Sequence, residues 1–207
     1  MKKYHLDILC LQETKINVNS MELHDGFSFY WSSGIKDEDR NKAIDLKRSG
    51  KGSRDNPEHG QTFRNAIEHL GVGVVLHPRI RKYVLDVRQH SARNIMVSLK
   101  TRCGVLDILS TYAPQACHRD SQAAEAHYAE LESLVSINYA FAPKLVLGDF
   151  NARLIKALPH ETCVGPYTFG IERQDLDFLS DAQLENRFKF VEFCLENQFV
   201  VKNRSEE

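Results

Sequence analysis

The residues best suited to chemistry are an acid and an amide two positions apart, Asp149 and Asn151, in the stretch Lys144 to Asn151 (K-L-V-L-G-D-F-N). Leu145, Val146 and Leu147 read as a short buried strand with Lys144 at its mouth, and Gly148 releases the backbone just before the acid. Alternate side chains of an extended or tightly turning segment share a face, so Asp149 and Asn151 are expected to point together while Phe150 turns toward the core. A carboxylate beside an amide at the end of a core strand is a common seat of chemistry in layered folds. An ordinary strand followed by an Asp/Asn turn is spelled the same way. Two more polar groups stand in such a place. Glu13 follows the apolar run His5 to Leu11 through Gln12, where a carboxylate is paired, solvated or holding a metal, or simply opens a surface loop. Tyr112 closes another run just before Ala113-Pro114, its hydroxyl free to reach outward or its ring packed on the core edge.

The elements that must hold these groups are legible as apolar patterns. His5 to Leu11 reads as a strand buried on both faces, and Gly26 to Ser32 as the next strand. Residues 34 to 60 turn abruptly charged, with cations and acids mixed, and read as a flexible surface loop. Phe63, Ala66, Ile67 and Leu70 recur at helical spacing. Gly71 to Leu76, Tyr83 to Val87, Asn94 to Leu99 and Val105 to Tyr112 read together as an antiparallel meander, with close backbone approach or a bulge at Gly71 and Gly73. Pro114 ends the last of them. Ser121 to Asn138 predicts an amphipathic helix with Ala124, Tyr128, Leu131, Leu134 and Val135 on one stripe. Residues 152 to 181 read as a long irregular loop. Leu184 to Asn197 predicts a second helix, with Phe188, Val191, Cys194 and Leu195 inward, and Phe199 to Val201 begins a further strand.

Composition bounds the class. The chain has room for one large core, and 42% hydrophobic with 27% charged residues is ordinary for a soluble globular protein. A formal charge of -1 gives no global basic excess, so any nucleic-acid binding requires a local patch. The five cysteines (Cys10, Cys103, Cys117, Cys163, Cys194) never pair as C-x-x-C and read as buried free thiols of a reducing compartment. His118 and His160 read as surface residues. No secretory signal opens the sequence and no apolar stretch is long enough to span a bilayer, so a soluble intracellular protein without a membrane partner is expected.

Taken in order, Gln12-Glu13-Thr14, Ser110-Thr111-Tyr112-Ala113-Pro114 and Gly148-Asp149-Phe150-Asn151 resemble the endonuclease/exonuclease/phosphatase superfamily. L-Q-E-T, Y-A-P and G-D-F-N-A are similar to the spelling in non-LTR retrotransposon endonuclease domains and their craniofacial-development-type relatives. Gly71-Val-Gly-Val, Asn186 ahead of F-V-E-F-C, and Asn203 after Phe199-Val-Val add weaker matches.

The resemblance implies a single α/β domain over residues 1–207, a four-layer sandwich of two packed mixed sheets flanked by helices. It also implies cleavage of a phosphodiester, with DNA as partner, dependent on Mg²⁺ or Mn²⁺. Glu13 is then the metal ligand, Asp149 the base or orienter of the attacking water, and Asn151 and Tyr112 contacts of the scissile phosphate. Asn186 holds a neighbouring phosphate or steadies the loop, against the plain alternative of a cap or surface amide. A nuclear location is expected if the target is chromosomal, and a reverse transcriptase domain if the parent chain is longer. The family pattern also has an Asn-bearing strand before L-Q-E and a Ser-Asp-His triplet near its end, and neither is found in the 207 residues. The chain is therefore expected to be a truncated domain with impaired nicking activity, since preorganised electrostatics is usually the largest catalytic term. A remnant that keeps the fold as a binding module, and a phosphatase for lipid or inositol phosphates, are the competing readings.

Overall fold

A computed structural model describes residues 1–16, 18–33, 71–115, 121–136, 142–155, 157–165 and 176–202. The expected charged loop at 34–60, the helical spacing at 63–70, Cys117, His118 and Asn203 lie outside the described residues. Two compact units are present, Met1–Tyr112 with Tyr139–Asp149, and Ala113–Asn138 with Phe150–Glu207.

The first unit holds two four-stranded sheets. One has the order β1-β4-β3-β2, from β1 (Ile8–Leu11), β2 (Ser20–His24), β3 (Phe27–Ser32) and β4 (Val72–Leu76), and its described pairs are all antiparallel. The other has the order β5-β6-β7-β8, from β5 (Val84–Gln89), β6 (Asn94–Thr101), β7 (Gly104–Tyr112) and β8 (Lys144–Asp149). Here β7 and β8 run parallel while the remaining pairs are antiparallel, so this sheet is mixed. Between them, Tyr30, Val72, Val74 and Leu76 meet Ile95, Val97, Leu99, Ile108 and Tyr112 in one apolar core. The architecture is the expected α/β one of two packed sheets with helices. β4, expected within the meander, instead sits between β1 and β3 in the first sheet, leaving β5-β6-β7 as the meander proper.

Several local features follow from residue type. β2 escaped the sequence reading, although Asp25-Gly26 (φ 51° and 82°) makes the two-residue turn that joins it to β3. β4 is buried at every position, whereas β1, expected to be buried on both faces, is only half-buried because it is an end strand. β8 is likewise an end strand, so its apolar Leu145 and Leu147 are exposed rather than buried (44% and 39%). Close approach explains two glycines. A Cβ at Gly73 would fall 2.5 Å from the Trp31 ring, and one at Gly148 would fall 1.9 Å from the Thr111 carbonyl oxygen on β7.

The second unit contains the longer helices. After the short α1 (Pro78–Arg81) of the first unit come α2 (Ser121–Ser136) and α3 (Asp181–Glu196). α2 buries Tyr128, Leu131, Leu134 and Val135 as its spacing requires. Ser180 caps α3, accepting from the Gln183 amide while Gln183 reaches back to the Ser180 N–H, which satisfies two otherwise orphan donors. The inward face of α3 differs from the expected one. Phe188 and Leu195 are exposed, while Ala182, Asn186, Arg187, Phe190 and Phe193 join Val191 and Cys194 in the interior. Tyr128 of α2 lies 5.8 Å from Phe193, centroid to centroid, and Phe199 stacks on the other side at 5.6 Å. The strand expected at Phe199–Val201 is a single parallel bridge between Val201 and Val164.

Of the four described cysteines, all are free. Cys163 and Cys194 are buried, Cys10 is half-buried, and Cys103 is exposed in the β6–β7 turn, against expectation. Burial pushes the Cys10 thiol up to about 11.

Two outcomes test these statements. Gly73→Ala forces a methyl into the Trp31 ring and is expected to cost about 1–3 kcal/mol, the usual range for overpacking, as read from urea unfolding. The second concerns Arg187 and Glu161, whose fully buried side chains form a bidentate pair, Arg187 Nη2 donating to Glu161 Oε2 at 2.6 Å. Burial pushes the Glu161 carboxyl up, but the Arg187 hydrogen bonds and the Leu158 amide outweigh it and hold the carboxyl below its ordinary value of 4.5. Between the folded and unfolded values the unfolded chain holds the extra proton, so stability rises with pH there. Glu161 therefore contributes fully above about pH 4.5 and loses its contribution as pH falls through the lower folded value. Unfolding midpoints measured from pH 6 to pH 3 should drop in the wild type, and Glu161→Gln should start low at pH 6 and drop less steeply.

Candidate active site

In the first unit, three of the sequence-derived residues gather at the ends of strands. β1 stops at Leu11, and Glu13 takes a left-handed backbone (φ 51°) that ends the run and exposes its side chain. Such a conformation costs a non-glycine residue of order 1 kcal/mol and is often found where function constrains the chain. The Tyr112 hydroxyl, at the last position of β7, donates to a Glu13 carboxylate oxygen. Beside it, Gln12 Nε2 donates to the Ser110 hydroxyl at 3.2 Å. These two bonds run from the end of β1 to the end of β7 and so link the two sheets. Asp149 is the β8 residue in register with Tyr112. Paired residues of neighbouring strands project to the same face, so Asp149 follows Tyr112 on the inner side of its sheet, and it is exposed.

One cation in this neighbourhood was missed by sequence reading. Arg93, in the turn ahead of β6, donates through Nη1 to the Tyr112 carbonyl at 3.0 Å and holds its guanidinium 5.4 Å from the Tyr112 ring centroid. Asn94 pairs with Thr111 across the β6–β7 ladder, so Arg93 necessarily flanks Tyr112. Nothing in the spelling of Ser91-Ala-Arg-Asn marks it; the register does.

In the second unit, Asn151 also has a left-handed backbone (φ 47°), which asparagine tolerates better than most residues. Its Nδ2 donates to the Ala113 carbonyl at 2.8 Å. Asn186 on α3 is 2% exposed and donates through Nδ2 to the carbonyls of Asn151 (3.0 Å) and Pro114 (3.2 Å). It is therefore neither a cap nor a surface amide. The segment after Tyr112 and the segment after Asp149 are thus tied to each other through Asn151 and to α3 through Asn186. Phe150 turns inward as expected, its ring 4.5 Å from Phe190.

The donor chemistry suits a hard divalent cation. Mg²⁺ keeps most of its waters and takes one or two carboxylates, and Glu13 and Asp149 both flank Tyr112 with exposed side chains. Among the described residues no cluster of three or more His, Cys, Asp or Glu forms a closed cage.

Two four-stranded sheets packed face to face, with polar groups at the strand ends, define an α/β fold. A solved AP endonuclease from Leishmania major has the same fold, with a TM-score of 0.51 at 15% identity over 95% of this chain and 59% of that one. This chain thus spans a little over half the length of that enzyme. The sequence model of the Endonuclease/Exonuclease/phosphatase family matches residues 1–175, and the chain belongs to that family. No curated protein matches it. Among the described residues no helix is long and apolar enough to cross a membrane.

Asn186 supplies the check on this geometry. Removing its donor in Asn186→Ala leaves two carbonyls without their partner and should lower stability by about 1–3 kcal/mol. Asn186→Asp, which faces the same carbonyls with a carboxylate, should lower it further. Urea unfolding in which the aspartate variant matches the wild type would show that these bonds are not made.

Proposed function

We propose that this chain is a divalent-metal-dependent phosphodiesterase that nicks DNA in the manner of a retrotransposon endonuclease, as one domain over residues 1–207. The observation that carries the reading is the Tyr112–Glu13 hydrogen bond, with Asp149 in register beside it, inside the Endonuclease/Exonuclease/phosphatase family. It supports assigning the metal to Glu13, because a carboxylate held by a neighbouring phenol presents its remaining lone pairs in a fixed direction. The ion, Mg²⁺ or Mn²⁺, supplies neutralisation of charge growing on the phosphate oxygens.

The chain's own residues then divide the work. Asp149 is the base or orienting group for the water that attacks in line. Tyr112 has one O–H to give: it donates to Glu13 as the structure shows, and turns to the phosphate only when a bound cation holds Glu13 instead. Asn151 presents an uncharged amide that does not repel the anion. Asn186, with both hydrogens of its amide given to carbonyls, is a positioning residue rather than a phosphate contact.

Supercoiled plasmid should be nicked in Mg²⁺ or Mn²⁺, and both Asp149→Ala and Glu13→Gln should remove the activity. Calorimetric titration with Mn²⁺ should give a binding isotherm that weakens in Glu13→Gln. Absence of Mn²⁺ binding, or nicking indifferent to both substitutions, overturns the hydrolase reading and leaves the fold as a binding module.

A further inference from the structure

The end of the first unit remote from Glu13 and Tyr112 exposes cations with few acids among them. β7 runs nine residues from Gly104 to Tyr112, and at about 3.3 Å per residue its two ends lie roughly 26 Å apart. At the Gly104 end the turn between β6 and β7 exposes Arg102, with Lys100 beside it near the end of β6. The Lys100 amide donates to the Tyr83 carbonyl at 2.8 Å, which brings Lys82 and Tyr83 against the same turn. Arg81 closes α1 immediately before them. All five side chains are exposed, and the Lys82 ammonium sits 5.1 Å from the Tyr83 ring centroid. A second cation–aromatic pair, Lys3 with Tyr4 at 5.5 Å, lies in the N-terminal turn that leads to Asp7.

The nearby carboxylates do little to cancel this charge. Asp7 is engaged by Arg79, whose Nη2 donates to Oδ2 at 2.8 Å, and the Arg79 hydrogen bond holds its carboxyl below the usual range. Asp86 is tied to Arg88 at 2.8 Å. Asp25, in the β2–β3 turn whose Gly26 faces Pro78, is a further exposed acid on this side, and Asp107 on β7, opposite Ser98, is buried and accepts from the Ser98 hydroxyl at 2.6 Å.

We propose that this pole binds single-stranded nucleic acid, with phosphates along Arg81, Lys82, Lys100 and Arg102 and a base stacked on Tyr83. Single strands are held by a cationic track interleaved with exposed aromatic faces, since every base offers a π-face while its backbone needs neutralising. A chain of net charge -1 can bind a polyanion only through such a local concentration. Tyr83 (42% exposed) and Tyr4 (68%) are open and flanked by cations, the arrangement stacking needs. A duplex, whose bases are already stacked, gains nothing from these rings. The pole is separate from the residues assigned to phosphodiester cleavage and does not depend on that assignment.

The test is fluorescence anisotropy with labelled dT20, and with a duplex of the same length, in EDTA so that nothing is cut. Lys82→Glu, Lys100→Glu and Arg102→Glu combined should weaken dT20 binding and lower the magnitude of the salt slope by about 2, at about 0.7 per phosphate contact. Tyr83→Ala should weaken dT20 roughly fivefold or more and leave the duplex unchanged, as the loss of one stacked base implies. Lys82→Arg with Lys100→Arg should retain binding, and plasmid nicking and Mn²⁺ affinity should be the same in every variant. In the wild type, saturating dT20 should protect Cys103, exposed in the same turn, from alkylation followed by peptide mass spectrometry. Unchanged dT20 affinity and salt slope in the charge-reversed protein overturn the proposal, as does undiminished alkylation of Cys103. Equal binding of duplex with Tyr83→Ala harmless overturns it too. So does transfer of the same residue dependence to phosphatidylserine vesicles without dT20 binding.

Discussion

One hydrogen bond organises the chemistry of the first unit: the Tyr112 hydroxyl donating to the Glu13 carboxylate. It joins the last residue of a buried strand in one sheet to an exposed acid just beyond an edge strand of the other. Its geometry is set from behind, because Tyr112 belongs to the core that holds the sheets together, alongside Val72, Val74, Ile95 and Ile108. The phenol thus has its ring in the apolar interior and its oxygen at the rim. A group with that split character can transmit core packing to a polar site without a mobile loop between them. Gln12 to Ser110 repeats the connection one step further in, so the end of β1 is fixed at two points rather than one.

The second unit solves a different problem, the burial of polar groups around irregular backbone. Consecutive residues of α3 carry it. Asn186 gives its amide hydrogens to Pro114 and Asn151, and Arg187 forms a bidentate pair with Glu161. An unpaired charge in that interior costs far more than the pair contributes, so the helix must present this face inward at the expense of Phe188 and Leu195. Apolar periodicity therefore misplaces the α3 interior: the stripe was read from Phe188, Val191, Cys194 and Leu195, whereas the helix is rotated to serve Asn186 and Arg187.

The same contrast explains what was legible in the sequence. Strands announced by branched residues and bounded by Gly or Pro were readable almost to the residue, as β4 and β7 were, and so was the stripe of α2. The candidate residues of the first unit stood out because each is a polar group at or just beyond the end of such a strand. What was not readable depends on neighbours. The half-burial of β1 and the exposure of Leu145 and Leu147 follow from strand order, which the residues of one strand do not encode. β2 is too polar to look like a strand, and only its Asp25-Gly26 turn betrays it. Arg93 carries no local signal and is found only through the register of Asn94 with Thr111.

Electrostatics sets the last constraint. On the proposed function, a phosphodiester approaching Tyr112 would meet two carboxylates, Glu13 and Asp149, on a chain whose formal charge is -1. At effective dielectric values near 20, each unit of like charge at about 4 Å opposes the anion by about 4 kcal/mol, more than a hydrogen bond from Tyr112 restores. Arg93 offsets part of this, though its guanidinium is already given to the Tyr112 carbonyl and ring. On the proposed function, a divalent cation between the two acids and the phosphate would offset that opposition. The same sign argument separates the two proposals for this unit: the acidic strand ends would need a bound cation to receive a phosphate, whereas the basic end at Lys82, Lys100 and Arg102 would not.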